Sequence, residues 1–155
     1  MPTVSQAISE LRRENRFFHL FSDAELEVLR PLFQLTRCRQ GETLISEGDA
    51  EGGPFSIVLS GSLEIKKLTE FGRYVVLAKV TRGALQGYSS VYHRSRPFPI
   101  TAVVMEGTEL LSLPKEKLDA LLDNHPAIGI KILREVIRVQ DVRLQELVVR
   151  FAATL

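Results

Sequence analysis

Between positions 83 and 102 the chain reads GALQGYSSVYHRSRPFPITA. Gly83 and Gly87, followed by Ser89 and Ser90, have the make-up of a tight turn whose backbone N–H groups and hydroxyls grip a phosphate. A loop that holds a charged ligand usually adds one acid and one well-placed arginine. Here the residue after Gly87 is Tyr88, and Phe98 stands between Pro97 and Pro99. Arg96 precedes Phe98 by two positions, so an extended backbone would send both side chains to one side and offer a shifted grip. His93 and Arg94 lie in the same loop, where solvated charge is their expected role. The candidate pocket is Gly87, Tyr88, Ser89, Ser90, Arg96, Phe98, Pro99 and Ile100.

Other chemistries find less support. No histidine or acid is placed by sequence to activate Ser89 or Ser90, so they are expected to hydrogen-bond within the loop. His19, His93 and His125 come from three separate segments and lack the paired spacing that a metal site in a strand requires. A single cysteine, Cys38, excludes an internal disulfide and reads as a small apolar filler in a strand. Neither an enzyme nor a cofactor or metal is expected.

The elements that must position the loop follow from periodicity. At 155 residues, 45% hydrophobic and 25% charged, the chain has the length and composition of one globular domain, 1–155. Residues 1–33 read as helices. In FSDAEL, Ser22 is an N-cap, Glu25 its capping-box partner, and Phe21 with Leu26 a hydrophobic staple; Pro31 should end or bend that helix. From 35 to 113 the pattern shortens to strands punctuated by glycine. PFSIVLSGSLEIKKL alternates Phe55, Ile57 and Leu59, then Leu63 and Ile65, and predicts a hairpin of half-buried strands turning at Ser60-Gly61. RYVVLAKV, ITAVV and ELLSL supply further strands. The expected fold is mainly β with flanking helices: an eight-stranded jelly-roll β-barrel carrying the 83–102 loop, then helices over 114–155. Pro126 opens a last long helix.

In this order the motifs LFSDAEL, GETLISEGD at 41–49, FSIVLSGSLEI at 55–65, the Gly83/Gly87 loop and LLSLPKEKLDALLDNHP at 110–126 resemble the cyclic-nucleotide-binding domain family of catabolite-activator-type regulators. The resemblance implies a phosphate-binding cassette that typically reads Phe-Gly-Glu, some small apolar residues, then Pro-Arg-Ala. In that cassette the glutamate accepts the ribose 2′-hydroxyl and the arginine neutralises the cyclic phosphate. Laid on this chain, the glycine is Gly87 and the proline Pro97, whereas Gln86, Tyr88 and Phe98 stand for the phenylalanine, glutamate and arginine. Two lost hydrogen bonds to charged groups, at roughly 1.5–3 kcal/mol each, weaken a micromolar ligand by about two to four decades. The expected function is therefore a regulatory sensor or interaction module with weak or no binding of cyclic AMP or cyclic GMP. The alternative is a receptor for a cyclic nucleotide, or another small ligand, through a modified cassette.

Partners are read from charge and from the last helix. Net charge is +1, so nothing advertises nucleic acid or an anionic membrane. No apolar run is long enough to span a bilayer, and MPTVSQAISELRREN lacks the layout of a secretory leader, which makes the cytoplasm the expected compartment. DNA regulators of the resembled family carry a winged helix-turn-helix beyond the long helix; as it ends at Leu155, the chain is expected to be a sensor or adaptor module without an attached effector, unless it is a piece of a longer protein. In the long helix Ile130, Leu133, Ile137, Gln140, Leu144, Leu147 and Phe151 fall at alternating spacings of three and four, a coiled-coil seam expected to join a homodimer. Ile128, Ile132, Val136 and Val139 form a second apolar face for the chain's own core, and a protein partner remains open.

Overall fold

The computed structural model describes residues 2–92 and 96–155. It opens with α1 (Val4–Glu14), α2 (Arg16–His19) and α3 (Asp23–Leu29). Each start is fixed by a side chain that takes an otherwise unpaired backbone N–H: Thr3, Asn15 and Ser22 respectively. The Ser22–Glu25 capping box forms as the sequence predicts, and Phe21 and Leu26 are both buried beside it. Pro31 falls in a 3-10 turn, Arg30–Leu32, directly after α3. Asn15 Nδ2 also donates to the Gly83 carbonyl at 2.6 Å, so the helical N-terminus is tied to the turn that opens the candidate loop.

The strands are β1 (Gln34–Cys38), β2 (Thr43–Ile45), β3 (Phe55–Leu68), β4 (Tyr74–Val80), β5 (Leu85–Gln86) and β6 (Thr101–Leu113). They form one antiparallel jelly-roll-like sheet, ordered β1-β6-β3-β4, with β2 on β6 and β5 on β3. Among the described residues the sheet is not closed and has six strands, where eight were expected. The expected hairpin at Ser60-Gly61 is one continuous strand, β3, and the segments ITAVV and ELLSL are one strand, β6. Both halves of β3 keep the same partner: Phe55 pairs with Leu113 and Lys66 with Thr101, while register shifts cluster between Val58 and Leu63. Gly61 has φ +86° and lies so close to β6 that a Cβ would fall 2.3 Å from Thr108 Oγ1. A left-handed glycine serves a bulge as well as a hairpin turn, and here it bends the strand instead of reversing it. Phe55 to Leu59 are buried on both faces, not on one.

Side-chain alternation on these two long strands divides the interior. Phe55, Ile57, Leu111 and Leu113 join the helices in a core that includes Ile8, Leu11, Phe17 and Phe18. Val58 and Leu110, on the opposite face, join Cys38, Leu63, Val80 and Val104 in a second cluster inside the roll. After β6 come α4 (Lys115–Asn124) and α5 (Pro126–Ala152), the latter with Pro126 in its first turn. Ile128, Ile132 and Val136 of α5 are buried in the helical core. Far along the same helix, Arg150 donates to the carbonyls of Val76 and Leu77 on β4.

A buried carboxylate ties α5 to α2. Glu135 is 4% exposed; Arg16 Nε reaches it at 3.2 Å, and Arg138 donates to its other oxygen through Nε at 3.0 Å and through a terminal nitrogen. Burial pushes this carboxyl up, but the hydrogen bonds and charges of the two arginines outweigh it and hold the group below 4.5. A folded-state value below the unfolded one contributes stability above the unfolded pKa and loses it as pH falls through the folded value. Glu135→Gln should therefore cost about 1–3 kcal/mol at neutral pH. Urea titrations at descending pH should show the gap between variant and wild type narrowing below pH 4.5. A gap constant with pH would mean that the ionised carboxylate contributes nothing.

Candidate functional site

The candidate site sits where β5 runs into the loop. Gly87, at φ +74°, ends β5 and starts a 3-10 turn, Tyr88–Val91. A Cβ on Gly87 would lie 2.1 Å from the Pro54 carbonyl oxygen, so backbone meets backbone here and only glycine fits. Ser90 is buried behind the turn, where its hydroxyl donates to the Gly53 carbonyl at 3.1 Å. Across the loop, Phe98 donates its N–H to the Asp49 carbonyl at 2.8 Å and accepts from Gly48 N–H at 2.9 Å. Its ring packs over Gly52, where a Cβ would fall 2.8 Å from Phe98 Cζ.

These elements border a half-open cavity of about 370 Å³ in the roll. Gly87, Tyr88, Ser89, Phe98, Pro99 and Ile100 of the predicted pocket line it together. Arg96 is exposed and does not line it, while Ser90 stands one layer back. The alternation that would have placed Arg96 beside Phe98 is absent: Phe98 is only 8% exposed. His93 and Arg94 lie outside the described residues.

The wall opposite the loop is mainly apolar, formed by residues such as Leu44, Ile45, Ile65, Ala102 and Leu110. Sequence reasoning missed its polar part. Gln86, Ser56 and Ser112 are consecutive cross-strand partners on β5, β3 and β6, and all three face the cavity. Gln86 Nε2 donates to Ser56 Oγ at 3.2 Å, and that hydroxyl reaches the Pro54 carbonyl at 3.4 Å. Ser112 is fully buried and its hydroxyl has no hydrogen-bond partner. The available signal was a serine in ELLSL on the face that Leu110 shares, where an apolar residue would suit a packed interior.

The long helix borders the site. Gln140 and Arg143, three residues apart on α5, both line the cavity. The Arg143 guanidinium lies over the Tyr88 ring, 5.0 Å from its centroid, a cation–π arrangement. The Tyr88 hydroxyl donates to the Leu85 carbonyl. Burial pushes the phenol up to about 12, despite the opposing pull of the Arg143 charge, so it stays neutral at physiological pH. None of the described residues lining the cavity is acidic.

With this geometry in view, comparison with known proteins decides the family. The sequence profile of the cyclic nucleotide-binding domain matches residues 35–125, more than half of the chain. The chain belongs to the cyclic nucleotide-binding domain family. Its fold is similar to that of a cyclic nucleotide-binding domain from Methylobacillus flagellatus KT, at a TM-score of 0.80 and 25% identity over 96% of this chain and 83% of that one. The Thermus thermophilus catabolite activator protein is also similar, at a TM-score of 0.65 and 28% identity, with 84% of this chain and 62% of that one covered. Among curated proteins, the transcriptional activator protein Anr of Pseudomonas aeruginosa is 28% identical over 96 residues. Those residues are 62% of this chain and 38% of Anr, so the chain spans well under half the length of that relative.

Within this cyclic nucleotide-binding domain, the Gly87–Pro54 contact should be the least tolerant point of the loop. Gly87→Ala adds a left-handed alanine, about 1–2 kcal/mol, to a clash with backbone that cannot rotate away. A loss above about 2 kcal/mol in urea unfolding is expected. A near-neutral result would mean that the loop relaxes freely.

Proposed function

We propose that the chain is a non-catalytic, dimeric regulatory module whose pocket gives little or no affinity for cyclic AMP or cyclic GMP. One observation carries this reading. At both positions where the family's cassette places charged readers, the side chain is aromatic and already engaged within the protein. Tyr88 is held by the Leu85 carbonyl and covered by Arg143, and Phe98 is packed on Gly52. A ribose hydroxyl would meet no carboxylate among the described lining residues. The proposed partner is a second copy of the chain. Twenty basic against nineteen acidic residues leave an excess of only one positive charge for nucleic acid, although Anr is by name a transcriptional activator. Among the described residues, no helix is long and apolar enough to cross a membrane.

Millimolar cyclic AMP should accordingly leave the melting temperature almost unmoved in differential scanning fluorimetry. A receptor at about 100 times its dissociation constant gains roughly 2.7 kcal/mol. At this chain length that is a rise of about 5–11 °C, and a rise of that size would overturn the reading.

Pairing is assigned to α5. Along the predicted seam Leu133 is half-buried, whereas Ile137 is 67%, Leu144 60% and Phe151 67% exposed. Ile130 and Leu147 are exposed beside them, and the buried face of the helix is a different one. A twofold axis lets such a patch cover its own copy. Leu144→Glu should set two like charges against each other and yield a folded monomer by light scattering, with unchanged circular dichroism. A wild type that is already monomeric at micromolar concentration would refute the pairing.

A second reading, a receptor for a small ligand other than a cyclic nucleotide, is favoured by the cavity itself, which Tyr88 and Phe98 line without filling.

A further inference from the structure

The cavity combines three features that a merely degenerate nucleotide site would not need. Its volume of about 370 Å³ falls in the range of small-molecule sites, and most of its wall is apolar, aliphatic and aromatic together. Ser112, fully buried on the sheet side, offers a hydroxyl with no partner in the protein, a costly arrangement unless something else bonds it.

The third feature is charge. Arg143 borders this cavity and also a neighbouring cleft that contains Arg16, Arg82 and Arg138. In that cleft Glu135 pairs with Arg16 and Arg138, and Glu14 pairs with Arg82. Among the described residues, no carboxylate lies within ion-pair distance of Arg143. Tyr88, beneath it, is a neutral phenol and cannot serve as its counter-ion.

We infer that the cavity binds a small apolar monocarboxylate bearing one further uncharged hydrogen-bonding group, with the carboxylate on Arg143, the aliphatic body against the wall of Leu44, Ile65 and Leu110, and the second group on Ser112. This rests on the second reading above. The apolar wall also argues against a cyclic nucleotide. A purine with its ribose and phosphate brings many polar atoms, and each one left unpaired here costs about 1–3 kcal/mol. A monocarboxylate brings few.

The test uses ω-hydroxy acids from hexanoate to decanoate length, the plain acids, the matching alcohols and cyclic AMP, each titrated calorimetrically into the full chain. At least one hydroxy acid should bind saturably with one molecule per chain, and more tightly than its plain acid. Arg143→Met should weaken the acids at least about tenfold and leave the alcohols unchanged. Ser112→Ala should erase the advantage of the hydroxy acid over the plain acid. If Arg143→Met does not fold, the wild type bound to ¹³C-carboxyl-labelled ligand decides: the bound carboxyl should titrate below its free value, and an unchanged value overturns the assignment. Failure of every acid to bind, or binding indifferent to Arg143→Met, also overturns it. If cyclic AMP fails as well, the proposed function still stands. Tight binding of cyclic AMP would instead overturn the reading on which this inference rests.

Discussion

β3 and β6 pair from Phe55↔Leu113 to Lys66↔Thr101, and because a strand alternates its side chains with period two, this ladder decides what every neighbouring element can touch. It sends Phe55, Ile57, Leu111 and Leu113 to the helices, and Ser56, Val58, Leu110 and Ser112 into the roll. A slip of one residue would exchange the two sets, burying serines among phenylalanines and opening the cavity with leucines. The bulge at Gly61 lets the register shift midway without changing partners, so two long strands carry both the helical core and the cavity.

The last helix answers to both compartments. Its first turns are locked by Ile128, Ile132 and Val136 in the helical core and by the Glu135 pairs. One turn later Gln140 and Arg143 reach the cavity, and beyond them the exposed apolar row begins to dominate. The position of Arg143 over Tyr88 is thus set by packing on the other side of the molecule. A helix anchored this way cannot shift its cavity-facing residues without straining a buried carboxylate.

Much of this was legible in the sequence because it depends on local rules. The Ser22 cap, the Pro31 stop, the Pro126 start and the turn at Gly87 each need only a few neighbouring residues, and each appears where expected. The strand count was not legible: a left-handed glycine at position 61 satisfies a hairpin and a bulge equally, and only the distant partner strand distinguishes them. The loop residues could be listed but not sorted. Which of Arg96 and Phe98 turns inward depends on the backbone pairing of Phe98 with Gly48 and Asp49. Ser112 and Arg143 carried almost no signal, since one is a serine in an apolar strand and the other an arginine on a charged helix. Their significance arises from a cavity that the chain assembles from distant segments.

The grip of Arg150 on Val76 and Leu77 bears on how the open edge of the sheet is covered. β4 is an edge strand rich in β-formers, with Tyr74, Val75 and Val76 exposed, and a bare edge of that composition templates the addition of further strands. Leu77 is the unpaired residue of a bulge, since Val76 pairs with Lys66 and Ala78 with Ile65. By occupying these two carbonyls, Arg150 withholds acceptors that an incoming strand would need. The C-terminal turns of α5 therefore shield part of the β4 edge.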